Sequence, residues 1–440
     1  MLRRKMTNQL LDWKNDADKT CLLIKGARQV GKTFIIDDFA KRYYKNYIYI
    51  NFELTPEKKN IFDGDLDVDS IVRRLSVYFT DVNIEPYKTI IFLDEIQSCP
   101  NARVAFKSFS LDKRFDVIGS GSLLGVNYRE VSSYPTGYEK VLDLYSLDFE
   151  EFLWGIGVKE EQINYLKECF TNKKEIDSSI LTKINEFFRW FILVGGMPKV
   201  VTTFVETNNF GKVLGLQRDI ISSYLDDITK YAPNAEKNRA RKCFASIPNQ
   251  LAMKNKKFKY SEIEQDETDP QKIGARQYEG SLTWLFDAGI VNYCYNLSEP
   301  ALPLMSNIKL DSFKMYVRDT GLLISMMEDG TQAAILNDKL FINEGGIIEN
   351  ICADIFAKNG KKLTYFERKG KLEIDFVFNI EGSSTAIEIK SGSNLLSKSL
   401  ESIVENYQCV TRYIKLESDC NIYTDGKGIE HYPLFAAMFI

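Results

Sequence analysis

Hydrophobic and polar positions follow two periods along the first third of the chain. Cys21-Leu22-Leu23-Ile24 is a short apolar run of the kind a parallel strand buried on both faces requires. Thr33 to Ala40 then places Ile35, Ile36 and Phe39 on one face at helical spacing. Tyr47 to Glu53 alternates as a strand, and Thr89-Ile90-Ile91-Phe92-Leu93 is a second apolar run, closed by Asp94 and Glu95. Phe115 to Gly119 and Val141 to Tyr145 read as two further strands, and residues 1–20, with Leu10, Leu11 and Trp13 apolar, read as a leading helix. Strands separated by helical stretches predict an α/β layer.

The period changes after Phe149, Phe152, Leu153 and Trp154. Residues 150–235 read as mostly helical, broken at Val194-Gly195-Gly196-Met197-Pro198, which ends one helix and starts another. Helical spacing returns at Tyr278, Leu282, Leu285 and Phe286, followed by the strand-like Ile290 to Tyr295; helices before a short hairpin suggest a winged-helix module. Pro300 to Pro303 mark a loop. A last α/β unit follows, with a helix over Glu344 to Lys358 that turns Ile347, Ile348, Ile351 and Ile355 inward and carries Glu349 on its flank. Its strands are Leu363 to Phe366, Leu372 to Phe378 and Thr385 to Lys390.

Composition narrows the class. A chain of 440 residues suggests about three domains, and 44% hydrophobic with 27% charged residues is ordinary for globular cores. A net charge of −4 excludes a general polycation, so nucleic-acid contact requires a local patch. Residues 237–259 supply one: Lys237, Arg239, Arg241, Lys242, Lys254, Lys256, Lys257 and Lys259, with no acidic residue among them. Such a run is either a phosphate grip or a solvated face. It is followed by an acidic run of Glu262, Glu264, Asp266, Glu267 and Asp269. No apolar run is long enough to span a membrane, and no signal segment follows the basic N-terminus, so a cytoplasmic location is expected. Eight dispersed cysteines without a C-x-x-C pair predict reduced structural thiols. The one histidine, His431, in what reads as a tail, makes a zinc site or a histidine triad a poor fit. Asp63, Asp65, Asp67 and Asp69 lack the glycine and glutamate of a calcium loop and read as an acidic loop ending in a helix cap.

Specific chemistry is concentrated at Gly26-Ala27-Arg28-Gln29-Val30-Gly31-Lys32-Thr33, which fits G-x-x-x-x-G-K-[ST]. Two glycines let backbone N–H groups converge on a triphosphate, Lys32 supplies a charge for the outer phosphates, and Thr33 offers a hydroxyl to Mg²⁺. The helix that follows presents its positive end to the phosphates. Asp94 and Glu95 stand where a parallel strand ends and ligands bind: Asp94 to hold Mg²⁺ through water or Thr33, Glu95 to polarise the attacking water. Ser120, in Ser120-Gly121-Ser122 after the next strand, is either a sensor of the γ-phosphate or part of a glycine-serine turn. Further on, Glu388 and Lys390 share one strand face, and Asp375 projects opposite Ile374 and Phe376. Two carboxylates of this kind hold a hard cation, Mg²⁺ or Mn²⁺, with a lysine beside them to offset phosphate charge, or they form a solvated edge.

With these motifs the chain resembles the prokaryotic AAA-family ATPases that carry a C-terminal domain related to restriction-endonuclease-like, PD-(D/E)XK-type folds. The matching stretches are Gly26–Thr33, Ile91–Pro100, Gly119–Gly125, Leu147–Leu153, Val194–Pro198, Gln217–Tyr231 and Glu373–Lys390. The resemblance implies a parallel P-loop sheet flanked by helices over residues 1–148, a helical lid over 149–235, a winged-helix-like segment over 236–305 and a restriction-endonuclease-like α/β domain over 306–440. It implies ATP and Mg²⁺ as cofactors, with Lys32, Thr33 and Asp94 at phosphate and metal, and Glu95 as base. It places Pro198, in a glycine-proline motif, near the adenine. It makes Asp375, Glu388, Lys390 and the helix residue Glu349 the nuclease-type positions. Arg129, Arg218 and Arg239 are the candidates for an arginine finger. Two readings follow: an ATPase coupled to a DNA-facing, nuclease-like half, or a slow nucleotide-controlled switch whose nuclease-like domain is a silent docking module. A nuclease merely stabilised by ATP is a third. ATP and ADP are the expected ligands, with DNA at 237–259 and at the C-terminal domain, and a protein partner or self-association as further partners.

Overall fold

A computed structural model describes residues 2–122, 137–263, 275–337, 344–368, 372–391 and 398–440. Two compact units are present, one formed by Arg4–Ser146 with Asp287–Gly289, the other by Met1–Arg3, Leu147–Phe286 and Ile290–Ile440. Leu123 to Gly125, Arg129 and the acidic run from Glu264 to Asp269 lie outside the described residues.

The first unit is a five-stranded parallel sheet of β1 (Cys21–Lys25), β2 (Asn46–Asn51), β3 (Thr89–Asp94), β4 (Asp116–Gly121) and β5 (Glu139–Asp143), in the order β2-β3-β4-β1-β5. Every residue of β3 is buried, and in β1 only Lys25 is not. That explains why both strands are unbroken apolar runs rather than alternating ones. The order has one consequence for function. β4 lies between β1 and β3, and Gly119 is in register with Leu23 on one side and Leu93 on the other. The segments leaving the C-terminal ends of β1, β3 and β4 therefore emerge side by side. The helix Lys32–Tyr43 buries Ile35, Ile36 and Phe39, as its spacing predicts. Asp67 caps the helix Val68–Tyr78 by accepting from the Ser70 N–H, the capping role expected of the acidic loop.

The second unit opens with the helices Phe149–Gly155, Glu160–Thr171, Ser178–Val194, Pro198–Thr207 and Phe210–Tyr231. The first of these is closed by a capping box of Asp148 and Glu151. Between the third and fourth, Gly195 takes φ +70°, and a Cβ on Gly196 would stand 2.0 Å from the Leu147 carbonyl oxygen. The turn is pinned twice: Gly196 N–H donates to Asp319 Oδ2 at 2.7 Å, and Leu147 N–H donates to the Gly196 carbonyl at 2.7 Å. Asp319 is fully buried.

Helices Lys237–Ala252 and Glu279–Asp287 precede an antiparallel hairpin of β6 (Val291–Leu297) and β7 (Ile308–Val317). Phe258 N–H donates to the Phe313 carbonyl, so the chain after the basic helix adds to the β7 edge. The boundary expected at residue 305 falls in the connection between these two paired strands. The hairpin is also not isolated. β8 (Thr364–Arg368) and β9 (Leu372–Ile374) extend it into one sheet, β7-β6-β8-β9. A further sheet follows, β10 (Phe376–Ile380), β11 (Ser383–Lys390), β12 (Arg412–Glu417), β13 (Tyr423–Thr424) and β14 (Glu430–Pro433), in the order β10-β11-β12-β14-β13. The stretch 372–378, which alternates like one strand, divides at Asp375: β9 pairs with β8, and β10 with β11. His431 is not in a loose tail. It is buried in β14, with Nδ1 2.6 Å from Glu417 Oε2 and its ring stacked on Tyr423. All eight cysteines are free and six are buried, in keeping with structural thiols. Among the described residues no helix is long and apolar enough to cross a membrane.

The Gly195-Gly196 turn yields a prediction. Gly196→Ala forces a methyl group into the Leu147 backbone, so it should destabilise the second unit by about 2 kcal/mol or more, as overpacking does. A thermal melt should show the loss of several degrees, whereas an unchanged melting temperature would mean the turn is not tightly held.

Candidate functional site

The phosphate loop leaves β1 at Lys25, whose carbonyl accepts from Leu144 N–H at 2.8 Å. This brings the chain after β5 against the loop, and a Cβ on Gly26 would stand 2.2 Å from the Leu144 carbonyl oxygen. Only glycine fits there. Gln29 (φ 66°) and Gly31 (φ 95°) are left-handed and coil the loop, and Ala27 and Val30 are buried. Arg28 lies outward, 3.9 Å from Glu53. Gly31 is the N-cap of the helix Lys32–Tyr43, and no side chain caps that helix. Its first amides are therefore free for an anion.

Lys32 is 6% exposed. Its Nζ donates to the Gly26 and Ala27 carbonyls at 2.9 and 2.8 Å and to Ser122 Oγ at 3.2 Å. Burial lowers its pKa to about 8, against the opposing pull of Glu95 and Asp94. An ammonium resting on carbonyl oxygens, with carboxylates near, is a cation for which phosphate oxygens are the better partners.

Asp94 is 1% exposed and saturated with donors. Its Oδ2 accepts from Thr33 Oγ1 at 2.9 Å, Tyr49 OH at 3.1 Å and Asn51 Nδ2 at 3.1 Å; its Oδ1 accepts from Ser120 Oγ and, at 3.1 Å, from Glu95 N–H. A hydroxyl beside a carboxylate, Thr33 with Asp94, is the kind of oxygen pair a hard cation takes, so the residues fit a magnesium nucleotide. Glu95 follows in the left-handed region at φ 50°, a strained conformation for a residue with a side chain. Its Oε2 accepts from Gln97 Nε2 at 2.6 Å and its Oε1 from Ser122 Oγ at 3.2 Å. Ser122 thus links Lys32 to Glu95, while Ser120 is turned onto Asp94. Tyr49, Asn51, Gln97 and Ser122 belong to the site without a motif announcing them. The polar residues at the end of β2 are the nearest thing to a signal.

Pro198, Arg218 and Arg239 belong to the second unit. Pro198 is the first residue of its helix, Arg218 pairs with Asp329, and Arg239 stands 5.9 Å from the Tyr278 ring.

In the second unit Asp375 feels Glu349, Glu388 pairs with Lys390, and lysines the motif did not name close on Glu349. Glu349, 1% exposed, accepts from Lys314 Nζ at 2.7 Å, from Lys256 and from Tyr316 OH. Lys314 also reaches Glu373 at 2.6 Å. Burial raises the Glu349 carboxyl, but Lys256 and Lys314 outweigh it and hold the group low. Asp375 is pushed the other way, by burial and then by Glu349. It accepts from Ile389 N–H at 2.8 Å, and the pairing of Phe376 with Ile387 puts it beside Glu388. Glu388 Oε1 pairs with Lys390 at 2.7 Å, while its buried Oε2 meets no donor among the described residues. No group of three or more His, Cys, Asp or Glu among the described residues is arranged to hold a metal. Lys256, expected on a basic surface, is instead turned inward to Glu349. Arg241, Lys242, Lys254 and Lys259 remain exposed.

Comparison with known families agrees with the first unit. Residues 18–153 match the model described as AAA domain, 185–333 a domain of unknown function (DUF8612) and 344–434 another (DUF4143). The N-terminal domain is an AAA-type P-loop domain. No curated protein matches the chain. Among solved structures, the Walker-type ATPase PABY2304 of Pyrococcus abyssi is similar at 14% identity and TM-score 0.43, over 74% of this chain and 96% of that one. Aeropyrum pernix ORC1 in complex with DNA gives 14% and 0.28 over 76% and 92%. AMPPCP-bound DnaA from Aquifex aeolicus gives 12% and 0.27 over 61% and 85%. At these scores the likenesses bear on neither fold nor function.

The lowered pKa of Lys32 has a measurable outcome. Below pH 8 the ammonium is already charged, and nucleotide binding needs no proton there. Above pH 8 the free protein has lost that proton and must regain it to meet phosphate. ATP affinity should therefore weaken from pH 8 upward, with uptake of a fraction of a proton that grows toward one as the pH rises. Calorimetry at pH 8.5 in buffers of different ionisation enthalpy measures this, and zero uptake would contradict it. Lys32→Ala should cost at least about tenfold in affinity at pH 7, one charge-assisted bond's worth.

Proposed function

We propose that the chain is a Mg²⁺-dependent ATPase of AAA type, in which ATP hydrolysis in the first unit drives a change felt by the second. The observation that carries this is the connected set Thr33–Asp94 and Lys32–Ser122–Glu95, which ties the phosphate-facing lysine to the base through one hydroxyl. On ATP binding, Lys32 gives up the Gly26 and Ala27 carbonyls for the outer phosphates, and Ser122 is released toward the γ-phosphate. Mg²⁺, held at Thr33 and Asp94, would offset the charge of the β- and γ-phosphates. Glu95 then takes a proton from water as its oxygen bonds to the γ-phosphorus, and the bond to the bridging oxygen breaks to leave ADP and phosphate. Glu95 is held at both oxygens, Oε2 by Gln97 and Oε1 by Ser122. Glu95→Gln should bind MgATP with wild-type affinity and hydrolyse it at least about a hundredfold more slowly, the scale of a lost general base. Hydrolysis equal to wild type would remove Glu95 from this role.

For the second unit we infer a docking module rather than a cutting one. Lys256, Lys314 and Lys390 neutralise the carboxylates a nuclease would lend to a cation. The exposed Arg241, Lys242, Lys254 and Lys259 suit DNA phosphates as a further docking surface. One observation favours the nuclease reading: Glu388 Oε2, buried without a donor beside Asp375, is what a Mg²⁺ or Mn²⁺ ion would satisfy. Titrating Mn²⁺ into wild type and Asp375→Ala, each with DNA present, separates the two. Uptake by neither protein and intact DNA is the outcome for a docking module. One ion bound by wild type, lost with cleavage in Asp375→Ala, would replace that reading by the nuclease.

A further inference from the structure

Two costs fall on one short turn of the first unit. Glu95 is held left-handed at φ 50°, and two residues later Gln97 keeps its side-chain carbonyl Oε1 buried with no donor among the described residues. A buried carbonyl without a donor is costly, because it has given up water and gained no partner. The amide cannot relieve this by flipping, because Oε1 would then face Glu95 Oε2 at the 2.6 Å now held by Nε2, an acceptor against a carboxylate. Gln97 is therefore placed by what its Nε2 does for Glu95, at the expense of its own carbonyl. It also splits the work on that carboxylate. Gln97 holds Oε2, while Oε1 is shared only with Ser122, which itself contacts Lys32. When phosphate draws Lys32 and Ser122 away, Oε1 is freed and Oε2 stays anchored.

We propose that Gln97 is a positioning residue for ATP hydrolysis, clamping one oxygen of Glu95 so that the other is presented to the attacking water. This rests on the reading of Glu95 as the general base. The strained backbone of Glu95 and the amide of Gln97 act together: the first aims the side chain, and the second stops its rotation about the terminal carboxylate bond. A base mispositioned by a fraction of an ångström loses rate without losing substrate, and the hydrogen bond of Gln97 is to the base itself.

The test uses the full chain and four proteins: wild type, Glu95→Gln, Gln97→Leu and Gln97→Asn. Gln97→Leu keeps the volume and removes the donor, and Gln97→Asn keeps the amide but withdraws it by one methylene. Both should lower kcat about tenfold or more with KM within about twofold, the split expected when only the transition state is affected. Binding of ADP with beryllium fluoride, which mimics the ground state, should be unchanged. Binding of ADP with aluminium fluoride, which requires an ordered attacking water, should weaken by a similar factor to kcat. A purely structural role would instead lower the melting temperature and weaken both fluoride complexes alike, and that pattern overturns the proposal. So does a kcat within twofold of wild type in both variants. Failure of the underlying reading looks different: Glu95→Gln hydrolysing like wild type, or wild type binding no ATP, removes the base itself and the clamp with it.

Discussion

A carboxylate buried at the end of β3 organises the first unit. Asp94 has no water to turn to, so its two oxygens must be satisfied by protein, and Thr33, Tyr49, Asn51, Ser120 and the Glu95 amide all converge on it. These donors come from the helix after the phosphate loop and from the ends of β2, β3 and β4. Removing any one leaves a buried charge short of a partner, which is far costlier than the bond it makes. The same network ties Thr33 and the Glu95 amide to one carboxylate, so the stability of the sheet's C-terminal edge and the placing of these residues are one property.

Lys32 completes that edge from the other side. It is a buried cation lent to two carbonyls until an anion arrives, and its lowered pKa records the shortfall. Ser122 joins Lys32 to one oxygen of Glu95, and Gln97 holds the other. In the second unit charge is handled differently. Asp319 spends its carboxylate on a glycine turn, and Glu349 is closed in by two lysines and a tyrosine. These two carboxylates are satisfied within the unit, whereas Glu388 keeps one buried oxygen without a donor among the described residues.

Much of this was legible along the chain. The loop from Gly26 to Thr33, the pair Asp94 and Glu95, the apolar runs of β1 and β3 and the break at Gly195-Gly196 each depend on local pattern: glycine where a Cβ has no room, apolar runs where both faces are covered. Other features depended on where strands end and which strand lies alongside. Ser120 and Ser122 are both small polar residues after the same apolar strand. Ser120 is still within β4 and turned onto Asp94, while Ser122 is the first residue past its end and lies between Lys32 and Glu95. Lys256 belongs to a run that looks solvated throughout, yet a buried Glu349 about ninety residues later draws it inward. His431 looked peripheral because nothing near it in sequence shows that β12 will pair beside it.

By itself the sequence determined where the P-loop pattern and the buried run ending in Asp-Glu lie, because G-x-x-x-x-G-K-T and such a run constrain the backbone and its charges within a few residues. It also determined which stretches become helix or strand, since periodicity is local. Tertiary structure alone decided which polar side chains complete the site and which carboxylates are neutralised by lysines. It also decided that the stretch 372–378 is shared between two sheets, dividing at Asp375. These outcomes turn on strand order and burial, which bring together groups tens to hundreds of residues apart, and no local pattern encodes the distance between them.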